Sequence, residues 1–236
     1  MPKNKSENVV LEARGIFKTF EVGGRKHEVI RGISCSFLEG EFVSIMGPSG
    51  SGKSTLLYIL SGIDSATSGQ VFVLGKELNT MSATELSALR ANDISFVFQS
   101  YNLINHFSVY ENVITPLLIA KKEIDEEKVD KILMSVGMYD FKNAPVSILS
   151  GGEQQRVAIA RALVNDPKII FADEATGNLD SKAMVDVMNI FRRIANQQKI
   201  TIIQVTHSER CAQFSDRVIK LLDGKIRDDL NMNKFL

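Results

Sequence analysis

Residues 47–55 read Gly47-Pro48-Ser49-Gly50-Ser51-Gly52-Lys53-Ser54-Thr55, a glycine-spaced run closed by Lys-Ser-Thr. It satisfies the pattern G-x-x-x-x-G-K-[ST], and its flanks decide how it is read. Glu41-Phe-Val-Ser-Ile-Met46 before it is an apolar strand, and Leu56-Leu-Tyr-Ile-Leu60 behind it opens a helix. Strand, glycine loop and helix in that order form a cradle for phosphate groups. Glycines at 47, 50 and 52 let the backbone turn tightly and present its N–H groups to oxygen atoms. The helix start adds the positive end of its dipole. Lys53 supplies a mobile cation for the β- and γ-phosphates of a nucleotide, and Ser54 offers a hydroxyl to Mg²⁺.

Outward from this loop, short β-rich runs alternate with helical patterns, which predicts an α/β fold. The clearest strands are Glu41–Met46, Ile94–Gln99, Lys168–Asp173, Thr201–Thr206 and Val218–Leu222. Several are nearly continuous apolar runs, as strands covered on both faces require. Ser82-Ala-Thr-Glu85 and Ser108-Val-Tyr-Glu111 read as capping boxes at helix starts. Val185, Met188, Ile190, Phe191 and Ile194 recur at helical spacing and are assigned to the core. The charge-dense run from Lys121 to Lys131 reads as a solvated helix face.

Composition narrows the function classes. The chain has 236 residues, enough for one large domain or two joined subdomains. Its 28 Lys+Arg balance 28 Asp+Glu, which argues against a nucleic-acid binder with a broad basic surface. The longest apolar stretches, such as Val113–Ala120, fall far short of the roughly 20 residues of a membrane-spanning helix. The opening MPKNKSENVV holds no apolar run for a signal peptide, so a cytoplasmic chain is expected. Cys35 and Cys211 lack metal-ligand or redox spacing and read as reduced thiols.

Further polar residues stand at strand ends. Lys168-Ile-Ile-Phe-Ala-Asp173-Glu174 is an apolar strand closed by two carboxylates. Asp173 is the candidate for organising a metal through water, and Glu174, one residue on, for polarising an attacking water as general base. His207 follows Thr201-Ile-Ile-Gln-Val-Thr206 and is expected at the γ-phosphate, because parallel strands exit on one edge. Gln99 ends Ile94–Gln99 and could reach either Mg²⁺ or the attacking water. Leu149-Ser-Gly-Gly-Glu-Gln-Gln155 precedes a helix stopped by Asn165-Asp-Pro167. Its Ser-Gly-Gly is either a second anion site or an ordinary serine N-cap.

Taken together, these residues resemble the ATP-binding subunit of ABC transporters. The phosphate loop, Gln99, the heptapeptide Leu149–Gln155, Asp173-Glu174, Asn178-Leu179-Asp180 and His207 occur in the family's order and spacing, over about Val9 to Arg227. The heptapeptide is the most specific of them. The resemblance implies a RecA-like ATPase core with an N-terminal antiparallel β portion and an inserted helical subdomain. The expected division is 1–98 and 166–236 for core and β portion, and 99–165 for the helical subdomain.

The resemblance also implies a head-to-tail homodimer around two ATP, driving an integral membrane permease subunit from the cytoplasmic face of the membrane. Ser150, Gly151 and Gly152 of one chain would then meet the γ-phosphate held by the other, and Asp180 would link the two sites. Phe20 stands where the family places an aromatic against adenine, most often Tyr. Ala175 stands where Pro is common, which predicts a less rigid turn. Val97-Phe-Gln-Ser-Tyr-Asn-Leu103, Glu111-Asn-Val113 and Thr176-Gly-Asn-Leu-Asp-Ser181 are similar to the branch of macrolide exporters and lipoprotein-release complexes, with bacitracin-type pumps nearby.

Export or extraction of a peptide, antibiotic or lipoprotein-like substrate follows as the leading reading. A regulatory ATPase that signals to cell-wall machinery without transport is the alternative. A repair-type ATPase is disfavoured, since Gln99 and Ser150 are separated by no heptad array, and translation-type proteins generally join two cassettes. The apolar residues of Tyr101–Phe107 predict a docking site for a short helix of the membrane subunit, with Leu103 and Phe107 as anchors.

Overall fold

The computed structural model describes residues 8–232; residues 1–7 of the opening MPKNKSENVV, on which the signal-peptide reading rests, lie outside them. The chain begins with a hairpin of β1 (Val9–Val22) and β2 (Arg25–Leu38), paired antiparallel. Gly23 and Gly24 close it with φ of 58° and 75°, the positive values that a two-residue hairpin turn demands. With β4 (Ser68–Val73) and β5 (Lys76–Glu77) the hairpin forms an antiparallel sheet in the order β2-β1-β4-β5.

The second sheet carries the expected strands. It contains β3 (Phe42–Met46), β6 (Ile94–Phe98), β7 (Ile169–Asp173), β8 (Thr201–Val205), β9 (Arg217–Leu222) and β10 (Lys225–Asn231). Their order is β10-β9-β3-β8-β7-β6, parallel throughout except for the β9–β10 pair. Alternating residues divide its apolar contacts between two cores. Ile169, Phe171, Ile203 and Val205 face α1 (Lys53–Leu60) and the antiparallel sheet. Ile170, Ala172 and Ile202 join the other core with α6 (Ser181–Gln198). Both faces are covered, which is why these strands read as unbroken apolar runs.

The remaining helices are α2 (Ala83–Asn92), α3 (Val109–Ile119), α4 (Glu126–Ser135), α5 (Gly151–Leu163) and the single turn α7 (Glu209–Ala212). Both expected capping boxes form. Ser82 N donates to Glu85 Oε2 at 2.8 Å, and Ser108 N to Glu111 Oε2 at 2.7 Å. The core assigned to the helical pattern 185–194 holds for Met188, Ile190, Phe191 and Ile194, which are buried, while Val185 packs against them half-buried. No helix among the described residues is long and apolar enough to cross a membrane.

The 101–107 stretch is irregular, as read, but Leu103 needs correction: it is half-buried and packs against the core. The cause is anchoring on both sides of it. Arg161 of α5 donates to the Tyr101 carbonyl at 2.7 Å, and buried Asn112 bonds both the N–H and the C=O of Ile104. Ile104 and Phe107 remain exposed.

Candidate active site

Strand register assembles the site. Phe98, Asp173, Val205 and Ile45 lie in one row across β6, β7, β8 and β3. One residue further along these parallel strands come Gln99, Glu174, Thr206 and Met46, with His207 and Gly47 next. All leave the sheet at its carboxyl edge, where open α/β sheets place their ligands. A cleft of about 550 Å³ opens there, lined by Val29, Ser49, Gly50, Gly52, Lys53, Ser54, Thr55, Glu174 and His207.

The loop from Gly47 to Gly52 leaves no room for a side chain at its two ends. A Cβ on Gly47 would lie 2.3 Å from Leu221 O, and one on Gly52 2.8 Å from Ile30 Cδ1. Gly52 caps α1 in the left-handed region at φ 98°. Lys53 is buried, and its Nζ donates to Pro48 O at 2.9 Å across the loop. Ser51 Oγ is buried without a hydrogen-bond partner among the described residues. A glycine loop that lines the cleft with Gly50 and Gly52 and opens into a helix start suits an oxyanion-rich ligand.

The two carboxylates of the acidic pair part company. Asp173 Oδ1 accepts from Ser54 Oγ at 3.1 Å and Oδ2 from Tyr58 Oη at 2.8 Å. Burial, and then donation to Asp173, push the Tyr58 phenol up to about 12, so it remains a donor at neutral pH. Glu174 turns instead to the cleft, its Oε1 3.3 Å from His207 Nδ1. Its φ of 49° is left-handed, a conformation that costs a non-glycine residue on the order of 1–3 kcal/mol and is held by its surroundings. Here Glu174 N donates to Val205 O at 3.1 Å and Gly177 N to Glu174 O at 2.9 Å. Ala175 is buried in the core beneath, so these contacts hold the turn that lacks a proline.

Gln99 is not among the residues lining the phosphate-loop cleft. Its Nε2 donates to Asn178 Oδ1 at 3.0 Å, and Asn178 Nδ2 returns a bond to Gln99 O at 3.2 Å. Asp180 caps α6, accepting from the N–H groups of Lys182 (2.8 Å) and Ala183 (2.9 Å). Those backbone bonds, Ala183 first, hold its carboxyl below the usual aspartate range. Ser150 is the N-cap of α5 in a third capping box, with Oγ donating to Glu153 Oε2 at 2.6 Å. The serine-cap reading of Ser150 is therefore structurally real, whatever else the residue does.

Ser150, Gly151, Gly152, Asp180 and Phe20 are absent from the lining of the phosphate-loop cleft. Gly152 is buried against its own chain, where a Cβ would meet Ala183 Cβ at 2.7 Å. A Cβ on Gly151 would lie 2.7 Å from Tyr101 Oη. Phe20, on β1, is 39% exposed. Two partners were not foreseen from sequence, Tyr58 and Asn178. The spacing of Tyr58 four residues after Ser54, hence on the same helix face, was the available signal.

The donors also fit a hard cation. Ser54 and Asp173 present oxygen only, as Mg²⁺ prefers. No group of three or more His, Cys, Asp or Glu among the described residues offers an all-protein metal cage.

This fold and edge belong to a nucleotide-hydrolysing P-loop class, and comparison with known proteins gives the family. The ABC transporter family profile matches residues 30–177. The chain belongs to that family as an ATP-binding, ATP-hydrolysing domain. Among curated relatives, it is 47% identical over 219 residues to the lipoprotein-releasing system ATP-binding protein LolD of Aquifex aeolicus, covering 92% of this chain and 96% of that one. It is 42% identical over 220 residues to the macrolide export ATP-binding/permease protein MacB of Bdellovibrio bacteriovorus, covering 93% of this chain but 34% of that one. This chain thus spans about a third of the macrolide exporter. A solved dimeric ATP-binding cassette in a post-hydrolysis state with ADP and Pi superposes with a TM-score of 0.85 at 37% identity, over 94% of this chain and 98% of that one.

Proposed function

We propose that this chain is the motor subunit of a membrane transporter, closing head to tail with a second copy around two ATP. The observation that carries the reading is the separation within one chain of the phosphate-loop cleft from Ser150. Any γ-phosphate that Ser150 meets would then be held by another copy, and the 37%-identical cassette is a dimer.

The loop amides and Lys53 bind the β- and γ-phosphates. Ser54 and Asp173 would hold Mg²⁺, which would supply positive charge beside the phosphate oxygens. Tyr58 and Ser54 fix the Asp173 carboxylate by both oxygens. Glu174 accepts the proton of the attacking water, and His207, within 3.3 Å, orients it toward the γ-phosphate. Gln99 would reach Mg²⁺ or the attacking water only after exchanging its bond to Asn178. Phe20 stacks on adenine with its exposed face. Asp180 and Gly151 lie at the seam between the two chains.

The permease partner is inferred from the relatives. The same cassette occurs fused in an ATP-binding/permease protein and as a nearly full-length free subunit. The segment Ile104–Phe107, exposed at both ends and joined to Gln99 by a few residues, offers the docking surface on the cytoplasmic face of the membrane. An antibiotic or lipoprotein-like substrate is proposed from the names of those relatives.

Glu174→Gln tests the site. It should retain ATP binding and lose hydrolysis by about 10²- to 10⁴-fold, the worth of a positioned base. ATP should then trap the dimer in size-exclusion chromatography, and wild-type turnover in this variant would remove Glu174 from the role.

A further inference from the structure

Lys18 is buried, 8% exposed, and no step of the reaction above uses it. Its ammonium donates to Asp64 Oδ1 at 2.6 Å and to Ser65 O at 2.7 Å. The same nitrogen lies 4.8 Å from the centroid of the Phe20 ring. Lys18 and Phe20 are two residues apart on β1, so both side chains leave the same face of the sheet. A dry ammonium is costly where packing is all that is needed, and an apolar residue would serve that purpose better.

Its partners lie on the segment that follows the phosphate-loop helix. Asp64 N donates to Tyr58 O at 3.1 Å, which ties the segment to the end of α1. Thr67 N donates to Phe17 O at 2.8 Å and Thr19 N to Thr67 Oγ1 at 3.0 Å, which straps it along β1. Lys18 therefore sits where the hairpin bearing Phe20 meets the helix that starts at the phosphates.

We propose that Lys18 is a positioning residue for nucleotide recognition: its ammonium holds one face of the Phe20 ring, so that adenine stacks on the opposite, exposed face. This rests on reading Phe20 as the adenine platform. A cation over a π face fixes the plane of the ring and closes that face to other ligands. It also draws electron density through the ring, which strengthens an offset stack with a neutral purine. The tether to Asp64 and Ser65 keeps that platform at a set distance from Gly47–Thr55. Lys18 thus serves base binding and leaves phosphate binding untouched.

The test titrates the full chain with ADP and with pyrophosphate, neither of which is turned over. Lys18→Met should weaken ADP by roughly three- to tenfold, the usual worth of a cation–π contact, and leave pyrophosphate unchanged. Lys18→Gln, which can still bond Ser65 O, should match it, and Lys18→Arg should restore affinity. In a Phe20→Ala background Lys18→Gln should have no further effect. Equal losses for ADP and pyrophosphate, or the same Lys18 effect with and without Phe20, would overturn the proposal. ADP affinity unchanged in Lys18→Gln but weakened in Phe20→Ala overturns the buttress alone and leaves the platform standing. Unchanged ADP affinity in Phe20→Ala removes the platform reading, and the buttress with it.

Discussion

Tyr58 Oη donates a 2.8 Å hydrogen bond to Asp173 Oδ2, so the carboxylate proposed to organise Mg²⁺ is gripped by the same helix that carries the phosphate loop. Ser54, one turn earlier, takes the other oxygen at 3.1 Å. The phosphate loop and the Asp173 carboxylate are thereby joined through a single helix. Tyr58→Phe should raise the Mg²⁺ concentration for half-maximal ATPase activity by about two- to tenfold, as expected for losing one hydrogen bond of roughly 0.5–1.5 kcal/mol. Nucleotide binding in chelator should stay at the wild-type level. A Mg²⁺ dependence identical to wild type would show that Ser54 alone fixes Asp173.

The shared site is best probed at Ser150. Gly152→Asp carries a charge toward a neighbour, but its Cβ would first meet Ala183 of its own α6, so it reports on folding as well. Ser150→Ala removes only a capping hydroxyl, and the expected stability loss is about 1 kcal/mol. Monomer ATP affinity should be kept while cooperative hydrolysis falls. A mixed dimer of Lys53→Ala and Ser150→Ala chains should recover one undamaged composite site; activity no higher than either parent would contradict the head-to-tail arrangement.

Docking should respond at Ile104 and Phe107 but differently at Leu103. Phe107→Glu or Ile104→Glu, both exposed, should leave the thermal midpoint and the ATPase activity of the isolated chain near wild type while co-purification with the permease falls. Leu103→Glu should instead lower the midpoint, because that side chain packs on the core. Loss of stability at Phe107 with full coupling retained would place it in the core as well.

Acid should loosen the helix starts first. Glu85 and Glu153 are held below the ordinary glutamate value chiefly by the hydroxyls of Ser82 and Ser150, and Glu111 by the Ser108 backbone N–H. A carboxyl whose folded-state value is depressed adds stability above its unfolded value and loses it as pH falls through the folded one. The thermal midpoint should therefore drop from about pH 5 downward. In Glu85→Gln/Glu111→Gln the curve should be flatter over that range, starting from a lower plateau at neutral pH. Parallel curves for the two proteins would show that the caps do not drive the acid response.

Much of this was legible in the sequence because it is written in local rules. The glycine loop has a fixed spacing, the strands β3, β6, β7 and β8 are apolar on both faces, and Ser82 and Ser108 announce their helices three residues ahead of a glutamate. Parallel strands exit on one edge, so Gln99, Glu174 and His207 could be assigned to a common edge without coordinates. Long-range choices were not written that way. Whether Leu103 faces solvent depends on Arg161, 58 positions downstream in number, and on Asn112 across the loop. That Gln99 spends its amide on Asn178, that Gly152 leans on Ala183, and that Lys18 lies against Phe20 while holding Asp64 each follow from segments brought together only by packing. Backbone periodicity and turn chemistry act over a few residues, and they determined the elements and the chemical inventory; side-chain partners depend on the register and crossing of distant elements, and only the tertiary structure decided them.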